Sequence, residues 1–361
     1  MEVDQQRLAI IANKRFGDIL REGFKLFSNS YGYIILPLMM FSIISIILQV
    51  FLLTDLEWRV NELDVSVTQI MENLGESDLT ESDWNLLLKY LLMYFALIFL
   101  NNLIAGMGVG GIITTIAMCS VSTFLYKKYV QGEADFMSSF KSSFNAKMLL
   151  VILIIGIFIP IGTFLFFIPA VIIYGFFIFL IFTYNMKDID KPTSRARFFA
   201  KGAFWKLIGV FVINFLILAT INMIYTTIID SIIEINVDST TFSDMYNSWY
   251  DPATRNFGMI ILYQILYSIV DILFAPLFIC LLTSLFATTK AKKDLGYDYR
   301  REAYPISIGY QEPYTPESYE EVPSYGIPLK EGFYCPFCGH HIKSPKKFCP
   351  KCGEDISFIN E

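Results

Sequence analysis

Four cysteines near the C-terminal end form the pattern that most clearly indicates chemistry. Cys335 and Cys338 stand in the sequence C-P-F-C-G, and Cys349 and Cys352 follow in C-P-K-C-G. The glycine after each second cysteine permits a left-handed turn that directs backbone N–H groups towards sulfur. Two such pairs of thiolates suit the tetrahedral coordination that Zn²⁺ prefers. The spacing therefore predicts one structural Zn²⁺ ion, with all four positions filled by cysteine and none left for a water ligand.

The residues beside these cysteines leave one alternative open. His340 and His341 are the only histidines of the chain, and we expect neither to bind the metal, because four thiolates already complete the site. Paired cysteines also act as thiol redox switches, which is the competing interpretation. With both histidines in the tail, Ser–His–Asp triads, H-E-x-x-H zinc sites and histidine-ligated haem are excluded from the rest of the chain. We therefore expect no enzymatic activity.

Four polar residues in apolar surroundings are the other candidates. Asp271 lies within the apolar segment 257–288, and an acid at membrane depth is a functional hypothesis by default. If the true span begins near residue 269, Asp271 instead lies at the outer interface and has no such role. Asn101, Asn102 and Asn214 either hydrogen-bond between helices or line a cavity, and we favour the first interpretation.

The composition indicates that lipid surrounds most of the chain. Of its 361 residues, 54% are hydrophobic and 17% are charged, against about 25% charged in an average soluble domain. The 37 residues from 148 to 184 contain no charge at all. One straight helix of that length would be about 55 Å long, well beyond a ~30 Å hydrocarbon core. Since Lys147 and Lys187 flank the run and Pro160, Gly162 and Pro169 interrupt it, we expect a hairpin that turns near residues 161–163.

The distribution of charge predicts how the whole chain is threaded. Residues 55–85 carry nine acids and one Arg, and residues 230–256 carry five acids and one Arg, so both belong on the outer face. Of the 28 Lys and Arg, only Arg59, Lys89 and Arg255 fall on that side. The expected spans are 33–53, one long kinked helix over 86–126, the two arms of the hairpin, 207–229 and 257–288. We thus predict an all-α integral membrane protein of the cell membrane, with six transmembrane helices and both termini in the cytoplasm.

Amphipathic segments border these spans. Residues 4–28 mix apolar and basic residues, as in a helix that lies in the membrane interface or packs on the surface of the bundle, and we favour the interface. Residues 127–147 and 193–206 have the same character. Gly106, Gly110 and Gly111 within the second span permit close helix packing or mark its kink, of which packing is favoured.

Several short sequences carry a resemblance to a known family. They are FGDILREGFKLFSNSYGYIILP before the first span, FFIPAVIIY in the hairpin and RARFFAKGAFWKLIG before the fifth span. They resemble the membrane domain found in front of some bacterial glycerophosphodiester phosphodiesterases, over about residues 10–295. The catalytic barrel of those enzymes is absent here, so the resemblance implies a membrane module without activity. The cysteine segment resembles the small zinc ribbons at the termini of many prokaryotic membrane proteins, which implies an interaction or sensing module.

Together these features predict three parts: a membrane domain over 1–293, a flexible linker rich in Tyr and Pro over 294–332, and a zinc ribbon over 333–361. The expected function is non-enzymatic, with the lipid bilayer and an unknown cytosolic protein as partners. The net charge of −6 argues against nucleic acid. The alternative is a transporter or lipid-handling protein in which Asp271, Asn101 and Asn102 line a path.

Overall fold

The computed structural model describes residues 5–74, 81–165, 167–186, 191–296, 333–334 and 341–342, in two units, Met1–Leu295 and Gly296–Glu361. The described part of the first unit is built from α-helices, as predicted, together with two π-helical segments, π1 and π2. The elements in chain order are α1 (Gln5–Ala12), α2 (Phe16–Leu74), α3 (Glu81–Leu103), π1 (Ile104–Gly110), α4 (Gly111–Gln131), α5 (Phe136–Ser143), α6 (Lys147–Val151), π2 (Ile152–Phe158), α7 (Ile159–Leu165), α8 (Phe167–Phe177), α9 (Leu180–Thr183), α10 (Pro192–Ala200), α11 (Phe204–Asn236), α12 (Ser239–Tyr250), α13 (Phe257–Tyr267), α14 (Ile269–Asp294), β1 (Phe333–Tyr334) and β2 (His341–Ile342).

Helix α14 is the centre of the membrane domain. Every residue from 279 to 289 is buried, and the helix packs against α2, α11, α4 and α1. The contact with α2 is close at Gly23, where an added Cβ would lie 2.9 Å from the Cα of Leu281. Beside it the hydroxyl of Ser284 donates a hydrogen bond of 2.9 Å to the carbonyl of Ile19. These contacts bury a helix on all sides, which is typical of the interior of a bundle.

Helix α2 differs from the sequence prediction in its continuity. The sequence analysis divides this region into an amphipathic segment, a span and an acidic outer segment, whereas the structure has one helix of 59 residues, about 88 Å long. The apolar side chains of its first turns, such as Ile19 and Leu26, are buried against protein. The N-terminal amphipathic segment therefore packs on the bundle, which is the second of the two interpretations, because α14 covers its apolar face.

The second predicted span agrees with the structure in being one long, irregular helix. Helices α3 and α4 are joined without a gap by π1, which begins directly after α3 and ends directly before α4. An added Cβ at Gly110 would meet the carbonyl oxygen of Ala105 at 2.6 Å, so this turn requires glycine. A Cβ at Gly156 in π2 would lie 3.1 Å from the carbonyl oxygen of Gly111. Both interpretations of the glycines thus apply, since they mark an irregular turn and also permit close packing.

The uncharged run folds as a hairpin. Its first arm is α6, π2 and α7, and its second arm is α8 and α9. The arms contact one another at Gly162 and Ala170, where an added Cβ on the glycine would lie 3.3 Å from the Ala170 Cβ. Since α7 ends at Leu165 and α8 begins at Phe167, the reversal follows the predicted turn by a few residues.

Several of these helices are long and apolar enough to cross a membrane. Among the described residues there are four, namely Phe16–Met71, Trp84–Leu103, Phe204–Asn236 and Ile269–Asp294. The bent pair Phe136–Ser143 and Lys147–Gly162, at 71°, makes a fifth if it is one span. The predicted sixth segment is divided at Ser268 into α13 and α14, of which α14 passes this test. The chain is therefore a multi-pass membrane protein by length and composition.

A small hydrophobic cluster lies beside the second half of α2, separate from the main core that contains Ile19 and Ile279. Val50 of α2 packs there against Trp249 and Tyr250 of α12 and Ile260 of α13. The guanidinium of Arg255 forms an ion pair of 2.6 Å with Asp55 of α2. It also donates a hydrogen bond of 3.3 Å to the carbonyl of Tyr250. These contacts hold the loop between α12 and α13 against α2.

Candidate functional site

Two adjoining cavities lie beside α2, and residues of α2, α4 and α8 line both of them. Their volumes are about 560 Å³ and about 330 Å³, and Thr114, Met118 and Tyr174 line both. Such volumes fall within the range of small-molecule sites. The polar side chains that line the first cavity are Gln49, Asn102, Thr114, Thr115 and Tyr174, and those that line the second are Ser42, Ser45, Thr114, Tyr174 and Asn214.

The residues that line the cavities lie far along their helices from the basic ends. Thr114 lies 13 residues before Lys127 of α4, about 20 Å along the helix. Ala275 lies 15 residues before Lys290 of α14, about 22 Å along the helix. These distances from the basic end of the bundle lie inside a hydrocarbon core of ~30 Å. Water is scarce inside a hydrocarbon core, so polar side chains there need hydrogen-bond partners from the protein or from a ligand.

Two helices bring the main polar groups to this position. Tyr174 belongs to α8 of the hairpin, and its ring packs edge to face on Phe211 of α11 at 5.7 Å. Asn214 follows Phe211 by three residues on the same helix, so both residues lie on one face of α11. On the opposite wall, the amide of Gln49 donates a hydrogen bond of 3.0 Å to the hydroxyl of Ser45, four residues earlier on α2. The hairpin and α11 thus position the lining of one side and α2 that of the other.

Two of these polar groups have no protein partner. Among the described residues, the buried side-chain atoms without a hydrogen bond belong to Ser30, Asn101, Tyr174, Asn214, Asn222 and Thr288. Of these six residues, Tyr174 and Asn214 line the cavities. The side chain of Asn214 is 8% exposed. By contrast, the hydroxyl of the buried Tyr184 donates a hydrogen bond of 3.0 Å to the carbonyl of Ser143.

The lining limits the chemistry that is possible in the cavities. No Asp, Glu, Lys, Arg or His is among the described residues that line them. The Tyr174 phenol is the one titratable group among these lining residues, and no carboxylate, amine or imidazole lies beside their Ser and Thr hydroxyls to act as a general base. Pairing with a charged ligand needs a countercharge that is likewise missing from the lining. What the residues offer is apolar contact together with neutral hydrogen-bonding groups.

The structure separates the polar residues that the sequence singled out. Asp271 is exposed in the first turn of α14 and lines neither cavity. An acid at this position interacts favourably with the positive end of the helix dipole, which accounts for it without a ligand. Asn102 lines the first cavity and donates a hydrogen bond of 2.9 Å to the carbonyl of Ile98 in its own helix. Asn101 is outside both linings, and the oxygen of its side chain has no partner.

Sequence reasoning did not single out Tyr174 or Gln49. Each was visible as a polar residue in an apolar segment, since Tyr174 stands in AVIIYGFF and Gln49 in SIILQVFLL. The sequence does not show which polar residues of apolar segments face a common cavity, so it gave no reason to choose these two.

The second unit contributes one structural observation beside the cysteine pattern. Strands β1 and β2 are antiparallel, with Phe333 opposite Ile342 and Tyr334 opposite His341. The six residues between the strands contain Cys335 and Cys338. All four cysteines, including Cys349 and Cys352, lie outside the described residues, as does most of the predicted linker. Within the residues described, no group of three or more His, Cys, Asp or Glu is placed to hold a metal ion.

Comparisons of the chain with models of protein families, with curated proteins and with solved structures give no match.

Proposed function

We propose that this chain is a non-enzymatic membrane protein that crosses the cell membrane six times and binds a cytosolic protein through its C-terminal zinc ribbon. Both termini lie in the cytoplasm in this proposal, because the Lys and Arg residues cluster on that side. One Zn²⁺ is bound by Cys335, Cys338, Cys349 and Cys352. Four soft thiolates form a closed structural site, so the metal supplies folding free energy to the ribbon and no activated water.

The observation that carries this proposal is the strand pairing around the first cysteine pair. The strand pairs Phe333–Ile342 and Tyr334–His341 stand on either side of the segment that contains Cys335 and Cys338. That arrangement suits two cysteines that grip one ion from a tight turn. A segment of about 30 residues is too short to bury a core of its own and depends on such a metal.

Metal content and partner binding of the full-length protein test the proposal. We expect one Zn²⁺ per purified chain by elemental analysis, none with Cys349→Ser, and one with the matched control His341→Ala. In intact cells, proximity labelling from the C-terminus should mark a protein that is lost with Cys349→Ser and retained with His341→Ala. A metal-free native chain with a disulfide would favour the redox switch. A labelling pattern indifferent to Cys349→Ser would contradict the interaction module.

The second candidate function is that of a transporter or lipid-handling protein. The two cavities at hydrocarbon depth favour it, with Tyr174 and Asn214 as the relevant residues, whereas Asp271 is exposed outside both linings. A transported substrate needs access from both faces of the membrane, so the assay is uptake or flipping by the purified protein in vesicles. Failure of that assay would leave the zinc-ribbon proposal untouched.

A further inference from the structure

We infer that the two adjoining cavities bind a neutral lipid with a free hydroxyl group, taken up from the bilayer. The inference is independent of the zinc ribbon. It concerns binding alone and gives the second candidate function a ligand class. It rests on three observations: the distance of the cavities from the basic ends of their helices, the unpaired buried polar atoms of two residues that line them, and the charge of the lining.

The first step concerns the unpaired atoms. A buried polar group without a partner is costly, and each such group in a native protein needs an explanation. The Tyr174 hydroxyl and the Asn214 Oδ1 are buried and unpaired, and both residues line the cavities. A tyrosine hydroxyl donates a hydrogen bond and an amide oxygen accepts one. A ligand that satisfies both must offer an acceptor and a donor, and a hydroxyl group offers each.

The second step concerns charge. The described lining contains no ionisable group other than the Tyr174 phenol. A phosphate or carboxylate headgroup at this depth would remain without a countercharge, which is unfavourable. The same argument excludes an ammonium group. The lining therefore favours an uncharged headgroup such as that of a monoacylglycerol.

The third step concerns the rest of the ligand. The remaining wall is apolar, with Phe41, Met118 and Phe278 in the second cavity and Ile155 and Ile159 in the first. A hydrocarbon chain in the cavity makes van der Waals contacts with these side chains, whereas in the bilayer it contacts only other lipid chains. The polar lining thus holds the headgroup, and the apolar walls hold the chain.

The probe is a monoacylglycerol whose acyl chain carries a diazirine and an alkyne. Full-length protein in phosphatidylcholine nanodiscs is irradiated with the probe, and labelled peptides are mapped by mass spectrometry. We expect saturable labelling within α2, α8 or α11 at the cavities. Excess monooleoylglycerol should compete, whereas methyl oleate, which lacks the donor, and phosphatidylglycerol, which is charged, should compete poorly.

Two variants remove one polar atom each. Tyr174→Phe and Asn214→Leu should each weaken the apparent affinity for the probe about 2- to 10-fold, since each loses one hydrogen bond. The atom that each variant removes has no hydrogen-bond partner in the protein, so both variants should melt at or above the wild-type temperature. Ala275→Leu places a larger side chain in the second cavity and so reduces its free volume. This variant should reduce labelling although it removes no polar group.

Asn222→Leu is the matched control. Asn222 also belongs to α11 and has an unpaired buried oxygen, but it lines neither cavity. It should leave labelling unchanged. The inference is overturned if the probe labels only lipid-facing positions or does not saturate, as expected of bulk lipid or of cavities filled by water. It is equally overturned if Asn222→Leu reduces labelling as much as Asn214→Leu does, or if methyl oleate competes as well as monooleoylglycerol.

Discussion

Replacement of Gly23 by alanine should separate the two helices that form the centre of the membrane domain. An added Cβ there would lie 2.7 Å from the Leu281 Cδ2, 2.9 Å from the Leu281 Cα and 3.1 Å from the Ser284 Oγ. A leucine methyl group can rotate away, but the Cα belongs to the backbone of α14. Residues 279–289 of that helix are buried on every side, so it has little room to retreat.

The magnitude follows from two opposing effects. Alanine in place of glycine favours a helix by about 0.5–1 kcal/mol through the unfolded chain. Overpacking of a dense interior costs about 1–3 kcal/mol. Gly32 lies on the same helix with nothing within 4 Å of an added Cβ, so Gly32→Ala has the first effect without the second. The difference between the two variants isolates the overpacking, and we expect Gly23→Ala to be about 1–3 kcal/mol less stable than Gly32→Ala.

The measurement is the free energy of unfolding in mixed micelles, from a denaturant titration followed by circular dichroism. Gly32→Ala should be at least as stable as the wild type, and Gly23→Ala should be less stable than Gly32→Ala. Helix content of the folded state should be the same in all three proteins. Equal stability of the two variants would refute the close contact between α2 and α14, and with it the packing of the N-terminal segment in the bundle.

Two further predictions concern topology and Asp271. In a background without native cysteines, Thr68→Cys and Asn247→Cys, both at exposed positions, should react with an impermeant thiol reagent in intact cells, whereas the exposed Lys141→Cys should react only after lysis; the reverse pattern would invert the threading. Asp271→Asn should leave monoacylglycerol labelling unchanged and lower stability by at most ~1 kcal/mol, because its exposed carboxylate contributes only its interaction with the helix dipole. A loss of labelling in that variant would show that Asp271 takes part in ligand binding.

The features of the fold that the sequence could predict were predicted mostly from the patterns of charge and hydropathy. The uncharged run between Lys147 and Lys187 predicted a hairpin because no single helix of that length fits a bilayer, and the structure has one. The division of α2 into three parts was wrong because it followed changes in composition. The helix itself needs no such change, since the turns from residue 16 to residue 74 each satisfy their own backbone hydrogen bonds. The contact between the apolar face of residues 4–28 and α14 depends on tertiary packing. In the sequence, only the small residue Gly23 indicates that another helix could approach there.

The candidate site was harder to predict because neutral residues form it and backbone irregularity shapes it. The segments π1 and π2 contact each other, and each borders the first cavity, through Ala105 and Gly110 on one side and Ile155 on the other. A π turn admits an extra residue and rotates everything after it relative to a regular helix, and such turns are frequent at functional sites. Thr114 and Thr115 lie four and five residues after the end of π1, so their direction depends on it.

The glycines explain why both irregular turns occur at the same level of the bundle. Gly110 has an added-Cβ distance of 2.6 Å to the Ala105 carbonyl oxygen inside its own turn, and Gly156 has one of 3.1 Å to the carbonyl oxygen of Gly111 in the neighbouring helix. A side chain at Gly110 would therefore distort its own turn, and one at Gly156 would crowd the neighbouring helix at Gly111. The close approach brings the two irregular turns to a common wall, and the cavity lies where the regular helices beside them, α2 and α8, do not fill the space. Spacing patterns built on regular helices cannot predict such a wall, although glycines in two apolar segments mark where to look for one.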